Sequence, residues 1–80
     1  MELIGKLVDF KILTGIIPPH WREYAYEYEN NYSIYVDGER LPEDEWEALV
    51  HTLQEEFGDR LMEIYSHTSN GMHFIVYLNK

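Results

Sequence analysis

Acid–base or metal chemistry in this 80-residue chain would have to come from four histidines and fifteen carboxylates. His51 lies four positions from both Glu47 and Glu55, so a helix would carry all three on one face. A carboxylate beside a histidine can orient the ring as a base or a metal ligand. The same spacing arises on any solvated helix face, and it is perturbed groups in a cleft that mark a site. His20 follows a proline pair and has no acidic neighbour nearer than Glu23. His67 and His73 flank Asn70-Gly71, and a two-residue turn there would point them to opposite faces. The chain has no cysteine, H-x-H or H-E-x-x-H pattern, so no metal is expected. The serines lack a histidine at a motif spacing, and there is no glycine-rich phosphate loop. Carboxylate pairs of the glycosidase kind need a cleft that holds them at a fixed separation, and a chain of this size builds few clefts. The expectation is a protein without catalytic residues or cofactor.

The sharpest pattern is "YAYEYENNYSIYV", residues 24–36, where tyrosine alternates with glutamate. RNA-binding sheets stack bases on exposed aromatics but surround them with arginine and lysine. Here the neighbours are Glu23, Glu27 and Glu29, and the whole chain carries a net charge of −9. That charge repels phosphate and argues against nucleic acid and anionic membrane as direct partners. It favours a basic protein surface, although solubility alone accounts for the same excess. Carboxylates on regular elements recur every several ångströms, comparable to phosphates along a nucleic-acid backbone. An acidic face could therefore occupy a phosphate-binding groove of another protein. The candidate contacts are Glu23, Glu27, Glu29, Asp37, Glu43, Asp44 and Glu47, with Tyr35 as an aromatic anchor among them.

The elements that must position these residues follow from periodicity. "LIGKLVDFKIL", residues 3–13, reads as a strand with Ile4, Val8, Phe10 and Ile12 on one face, or alternatively as a helix that Gly5 weakens. "TGIIPPHW" bars regular structure and suggests a crossing loop. In the tyrosine hairpin, a three-residue loop Glu29-Asn30-Asn31, with Asn31 left-handed, would pair Tyr28 with Tyr32, Tyr26 with Ile34 and Tyr24 with Val36. That register makes the tyrosine stripe core and leaves Glu23 and Glu27 outside. Pro42 then opens a helix over 42–57, where Trp46, Leu49, Val50, Leu53 and Phe57 form one apolar stripe and Gly58 is the stop. A second hairpin turns at Asn70-Gly71. Both faces of its strands are largely apolar, which marks at least one of them as central in the sheet.

These elements make a single α+β domain over 1–80, in the order β-β-β-α-β-β, with one helix packed on one face of an antiparallel sheet as two layers. The expected core is Phe10, Ile12, Tyr26, Ile34, Trp46, Leu49, Val50, Leu53, Phe57, Ile64 and Ile75. One helix covers only one sheet face, so Leu61, Tyr65, Met72, Phe74 and Val76 could form an exposed patch that takes a second copy or a partner. No apolar run approaches the ~18 residues of a membrane span. Lys6, Asp9 and Lys11 break up Met1–Leu13, so no signal peptide is read there, and a cytoplasmic location is expected.

A chain this short and acidic, with one helix and hairpins such as "YAYEYENNYSIYV", resembles the small phage-encoded inhibitors of host defence, the anti-CRISPR and DNA-mimic proteins. The resemblance is in size, acidity and compact mixed fold, and no motif carries a functional residue across. It implies a stoichiometric inhibitor that occupies a basic groove of a nuclease or surveillance complex. The rival expectation is a small homodimeric interaction domain that uses its uncovered sheet face, with acidity serving solubility only.

Overall fold

The computed structural model describes residues 5–67 and 72–80. Five strands form one antiparallel sheet: β1 (Lys6–Leu7), β2 (Arg22–Glu27), β3 (Asn31–Gly38), β4 (Leu61–His67) and β5 (Met72–Asn79). Their order across the sheet is β1-β2-β3-β5-β4. Helix α1 (Glu43–Phe57) and a short 3-10 turn (Gly58–Arg60) connect β3 to β4. The fold is α+β in the expected element order. β5, apolar on both sides, is indeed an inner strand between β3 and β4.

Local signals account for the helix. Pro42 precedes it, and its carbonyl accepts from the Trp46 N–H at 2.9 Å. Glu43, Asp44 and Glu45 fill the first turn, where the helix dipole favours negative charge. Gly58 ends the helix at φ 54°, and its N–H bonds to the Gln54 carbonyl. That left-handed conformation suits glycine, which has no Cβ to clash. Leu49 and Leu53 are buried, and Trp46 and Phe57 pack at the margin of the core. Val50, expected in the stripe, is only half-buried and lies outside that cluster.

The hairpin of β2 and β3 departs from the expected register by one residue. Tyr24 pairs with Tyr35, Ala25 with Ile34 and Tyr26 with Ser33. The loop is the two-residue Glu29-Asn30, closed by the Tyr28 N–H on the Asn31 carbonyl at 2.8 Å. Asn31 starts β3, and no described residue other than glycine has positive φ. A shift of one residue turns every side chain of one strand over. Ala25, Ile34 and Val36 therefore join Phe74, Val76, Leu78, Leu49 and Leu53 in the core, and the tyrosine stripe lies on the opposite face. This pairing sets Glu23 opposite Val36 and Glu27 opposite Tyr32 on the core side. Tertiary partners resolve the mismatch. The Glu23 carboxylate accepts from the backbone N–H of Ile12 at 2.7 Å and of Leu13 at 3.2 Å. Glu27 pairs with Lys80 at 2.6 Å.

The first strand is much shorter than expected. Only Lys6 and Leu7 pair with β2, residues 1–4 lie outside the description, and residues 8–21 run on without a further strand. This segment does cross the sheet, but on the helix side. Leu13, Ile17 and Trp21 are buried there, with Val8, Ile12 and Ile16 packed against them. Phe10, expected in the core, is 57% exposed. Trp21 lies so close over Gly38 that a Cβ at Gly38 would come within 2.2 Å of its ring. It also meets Phe74 edge-on, and Trp46 meets the same Phe74 from the helix.

The second hairpin also differs. His67 and His73 are direct backbone partners, Ile64 pairs with Val76, and a bulge at Met62 shifts the register between Leu61 and Glu63. The expected Asn70-Gly71 turn lies outside the described residues. The predicted exposed patch is divided by this arrangement. Phe74 and Val76 are buried beneath the helix, Leu61 packs beside them, and Tyr65 points the other way. The Met72 side chain lies outside the description. Tyr26 and Ile75, expected in the core, belong to the uncovered face.

Candidate functional site

Because α1 and the 8–21 segment share one side of the sheet, no described element covers the other. Two cross-strand rows make up this open face. The first runs Tyr24, Tyr35, Ile75, Tyr65 across β2, β3, β5 and β4. The second runs Tyr26, Ser33, Tyr77, Glu63 across the same strands, with Leu7 of β1 beside Tyr26. Tyr28 stands next to them, against Gly5. Six of the seven tyrosines thus lie on one surface; Tyr32 alone is on the helix side, packed against the core.

The rings are ordered by one another. Tyr26 meets Tyr35 edge-to-face with centroids 5.6 Å apart, and Tyr65 meets Tyr77 at 5.9 Å, the geometry that the aromatic quadrupole favours. Together they shield Ser33, which is buried at the centre. Tyr24, Tyr35 and Tyr65 remain 46%, 39% and 53% exposed, and Leu7 61%. Two shallow hollows lie between the rings. One, of about 240 Å³, is walled by Tyr24, Tyr35 and Tyr65 with Ile75 as its floor. The other, of about 340 Å³, lies among Gly5, Tyr24, Tyr26, Tyr28 and Tyr35. Tyr24 and Tyr35 belong to both. A Cβ at Gly5 would come within 2.7 Å of the Tyr28 ring, so glycine there permits the close approach of that ring.

Two hydroxyls on this face hold their protons more tightly than free tyrosine. Burial pushes the Tyr35 pKa up, helped by the neighbouring Tyr77, Tyr28 and Tyr26. Tyr65 is pushed up by the hydrogen bond its hydroxyl donates to the Glu63 carboxylate, and then by the charge of Glu63. The face therefore presents neutral phenols: aromatic planes for stacking and hydroxyls for donating hydrogen bonds. Glu23 and Glu27, which neighbour the tyrosines in sequence, are on the other side of the sheet, and Arg22, Asp37 and Glu63 are the charged residues whose register places them here.

The sequence-predicted contacts do not meet on one surface. Glu43, Asp44 and Glu47 are exposed on α1, on the covered side of the sheet, and Glu29 is exposed in the hairpin loop. Tyr35 and Asp37 are on the open face. Glu23 and Glu27, expected outside, are on the core side and engaged within the chain. Of the histidines, His51 lies 3.5 Å from Glu55 with both side chains exposed, and His20 touches Glu39 at the surface. Among the described residues, no group of three or more histidines, aspartates or glutamates could hold a metal ion, and no helix is long and apolar enough to cross a membrane. No family model, curated protein or solved structure matches the chain. The tyrosine face is what sequence reasoning missed as a surface. The signal in the sequence was the alternation of Tyr24, Tyr26 and Tyr28, but periodicity alone does not say which face the helix takes.

Proposed function

We propose that this chain is a non-enzymatic binding domain whose recognition surface is the tyrosine-covered face of its sheet. One observation carries the reading: six tyrosines gather on the side of the sheet that no described element covers. Tyrosine brings a large, rigid contact area at low entropic cost and a hydroxyl for polar contacts, and for that reason it is enriched in interfaces and at their hot spots. The acidic excess then serves solubility and long-range attraction of a basic partner. An inhibitor of the anti-CRISPR or DNA-mimic kind would draw on a contiguous array of carboxylates. That reading has less support, because Glu23 and Glu27 are occupied internally and the remaining candidates stand on opposite sides of the sheet.

The test is capture from host lysate by immobilised protein, comparing the wild type with Tyr35→Ala/Tyr65→Ala and with Glu43→Lys/Asp44→Lys/Glu47→Lys. Circular dichroism and tryptophan emission check that each variant keeps its fold. Loss of capture with the tyrosine pair alone supports the reading. Capture that survives the tyrosine changes and disappears on charge reversal refutes it and returns the function to the acidic helix.

A further inference from the structure

The second hollow is lined by aromatic rings and little else. Tyr24, Tyr26, Tyr28 and Tyr35 surround it, Gly5 completes it, and among the described residues no charged side chain enters the lining. Tyr24 and Tyr35 are direct partners across the β2–β3 ladder. The ring planes of Tyr26 and Tyr35 stand at 87° to each other with centroids 5.6 Å apart, so two walls meet as a corner rather than as a flat stack. Tyr28 packs closely on Gly5 at the other side. Burial first, then the Tyr77, Tyr28 and Tyr26 hydroxyls, raise the Tyr35 pKa, so these rings converge and stay neutral. We propose that this hollow is an aromatic cage for a trimethylammonium group, carried on a methylated lysine of a basic partner segment. This deepens the reading of the tyrosine face and rests on it.

A cation is drawn to the negative face of an aromatic ring, and several rings around one quaternary ammonium make the cage by which such groups are recognised. The lining selects the methylated form. A primary ammonium or a guanidinium carries N–H donors that lose water on entry and need acceptors in its place. Here the lining offers phenol oxygens and no carboxylate. A trimethylammonium group has no N–H to satisfy, and its methyls meet the rings as apolar surface. The hollow holds about 340 Å³, near the lower end of the roughly 300–1,000 Å³ of ligand pockets. That size suits a head group on a stem that stays in solvent. Charge decides the carrier. The chain carries net −9, which attracts a basic segment and repels the phosphate that accompanies the same cation in a phosphocholine headgroup. The same charge opposes a second copy of this chain, and it opposes nucleic acid, whose phosphates would be repelled.

Titration calorimetry and NMR with short synthetic peptides test the proposal at low ionic strength. The probe carries one trimethyl-lysine between two arginines. In one control a tert-butyl group replaces the trimethylammonium, which keeps the shape and removes the charge. In a second the lysine is unmodified, and a third ligand is phosphocholine. The probe is expected to saturate at sub-millimolar concentration and to shift the ring resonances of Tyr24, Tyr26, Tyr28 and Tyr35. The neutral isostere and the unmodified lysine should each bind about tenfold more weakly, the scale of a desolvated cation–π contact. Tyr24→Ala and Tyr35→Ala should each weaken the probe about tenfold, and Tyr24→Phe should keep most of the affinity because the ring face remains. Tyr65→Ala, outside this hollow, should leave binding unchanged. The ligand series uses the wild-type protein, so it decides the question even where a variant fails to fold. Equal binding of either control peptide, tighter binding of phosphocholine, or a homodimer in sedimentation equilibrium that Tyr35→Ala dissociates would each overturn the inference. If no ligand binds while Tyr35→Ala/Tyr65→Ala still abolishes lysate capture, the ammonium ligand falls and the tyrosine face stands.

Discussion

Replacing Glu23 with alanine should destabilise the fold far more than its place among solvent-facing glutamates in the sequence would suggest. Its carboxylate accepts from two backbone donors, the Ile12 N–H at 2.7 Å and the Leu13 N–H at 3.2 Å. These bonds tie the 8–21 segment to β2, and that segment supplies Leu13, Ile17 and Trp21 to the core. A hydrogen bond to a charged acceptor contributes about 1.5–3 kcal/mol. The site is only half-buried, so water replaces part of what is lost, and the net cost should be about 2–3 kcal/mol. For a domain of this size that lowers Tm by about 10–20 °C. Glu47→Ala, at an exposed helix position, should stay within about 0.5 kcal/mol. Urea and thermal unfolding followed by circular dichroism give the global numbers. Amide hydrogen exchange gives the local one: the Ile12 and Leu13 amides should lose protection at least tenfold beyond what the global destabilisation explains, roughly the scale of one hydrogen bond. If Glu23→Ala costs no more than Glu47→Ala and those two amides exchange as before, the carboxylate does not hold the segment and the account of the register is wrong.

Two further outcomes follow from named contacts. Gly38→Ala places a methyl group within 2.2 Å of the Trp21 ring; overpacking of this kind costs about 1–3 kcal/mol, and a red shift of tryptophan emission should accompany it as Trp21 moves outward. At alkaline pH the raised Tyr35 and Tyr65 values set the sign of the response. In the unfolded chain these hydroxyls titrate near 10.0, and in the fold they titrate later. Their contribution to stability is intact below the unfolded value and is lost as pH rises through the folded one. Tyrosinate absorbance should show late-ionising rings, and Glu63→Gln should bring the Tyr65 titration, followed by NMR, back down. A Tyr65 titration that ignores Glu63→Gln would refute the assigned hydrogen bond.

What the sequence determined on its own is the set of features whose causes are local. The helix was legible because proline, three acidic residues, the 46/49/53/57 stripe and Gly58 all act within a turn or two of one another. The order of elements was legible for the same reason, and so was an inner place for at least one strand of the second hairpin, whose residues are largely apolar on both faces. The absence of catalytic and metal motifs was also read from the chain directly. The tertiary structure decided which side of the sheet is inside. Tyrosines on β2 and aliphatic residues on β3 recur with the same period of two, and a loop shorter by one residue turns β2 over, taking Ala25 into the core and Tyr24 and Tyr26 out of it. Contacts distant in sequence set the balance. Glu23 became tolerable on the core side through donors 10 and 11 residues away, and Glu27 through Lys80, 53 residues on. The close seat of Trp21 on Gly38 gave the aliphatic face the cover that the helix alone could not supply. With that side filled, the tyrosines were left facing outward, and the candidate site is the face that the core did not take.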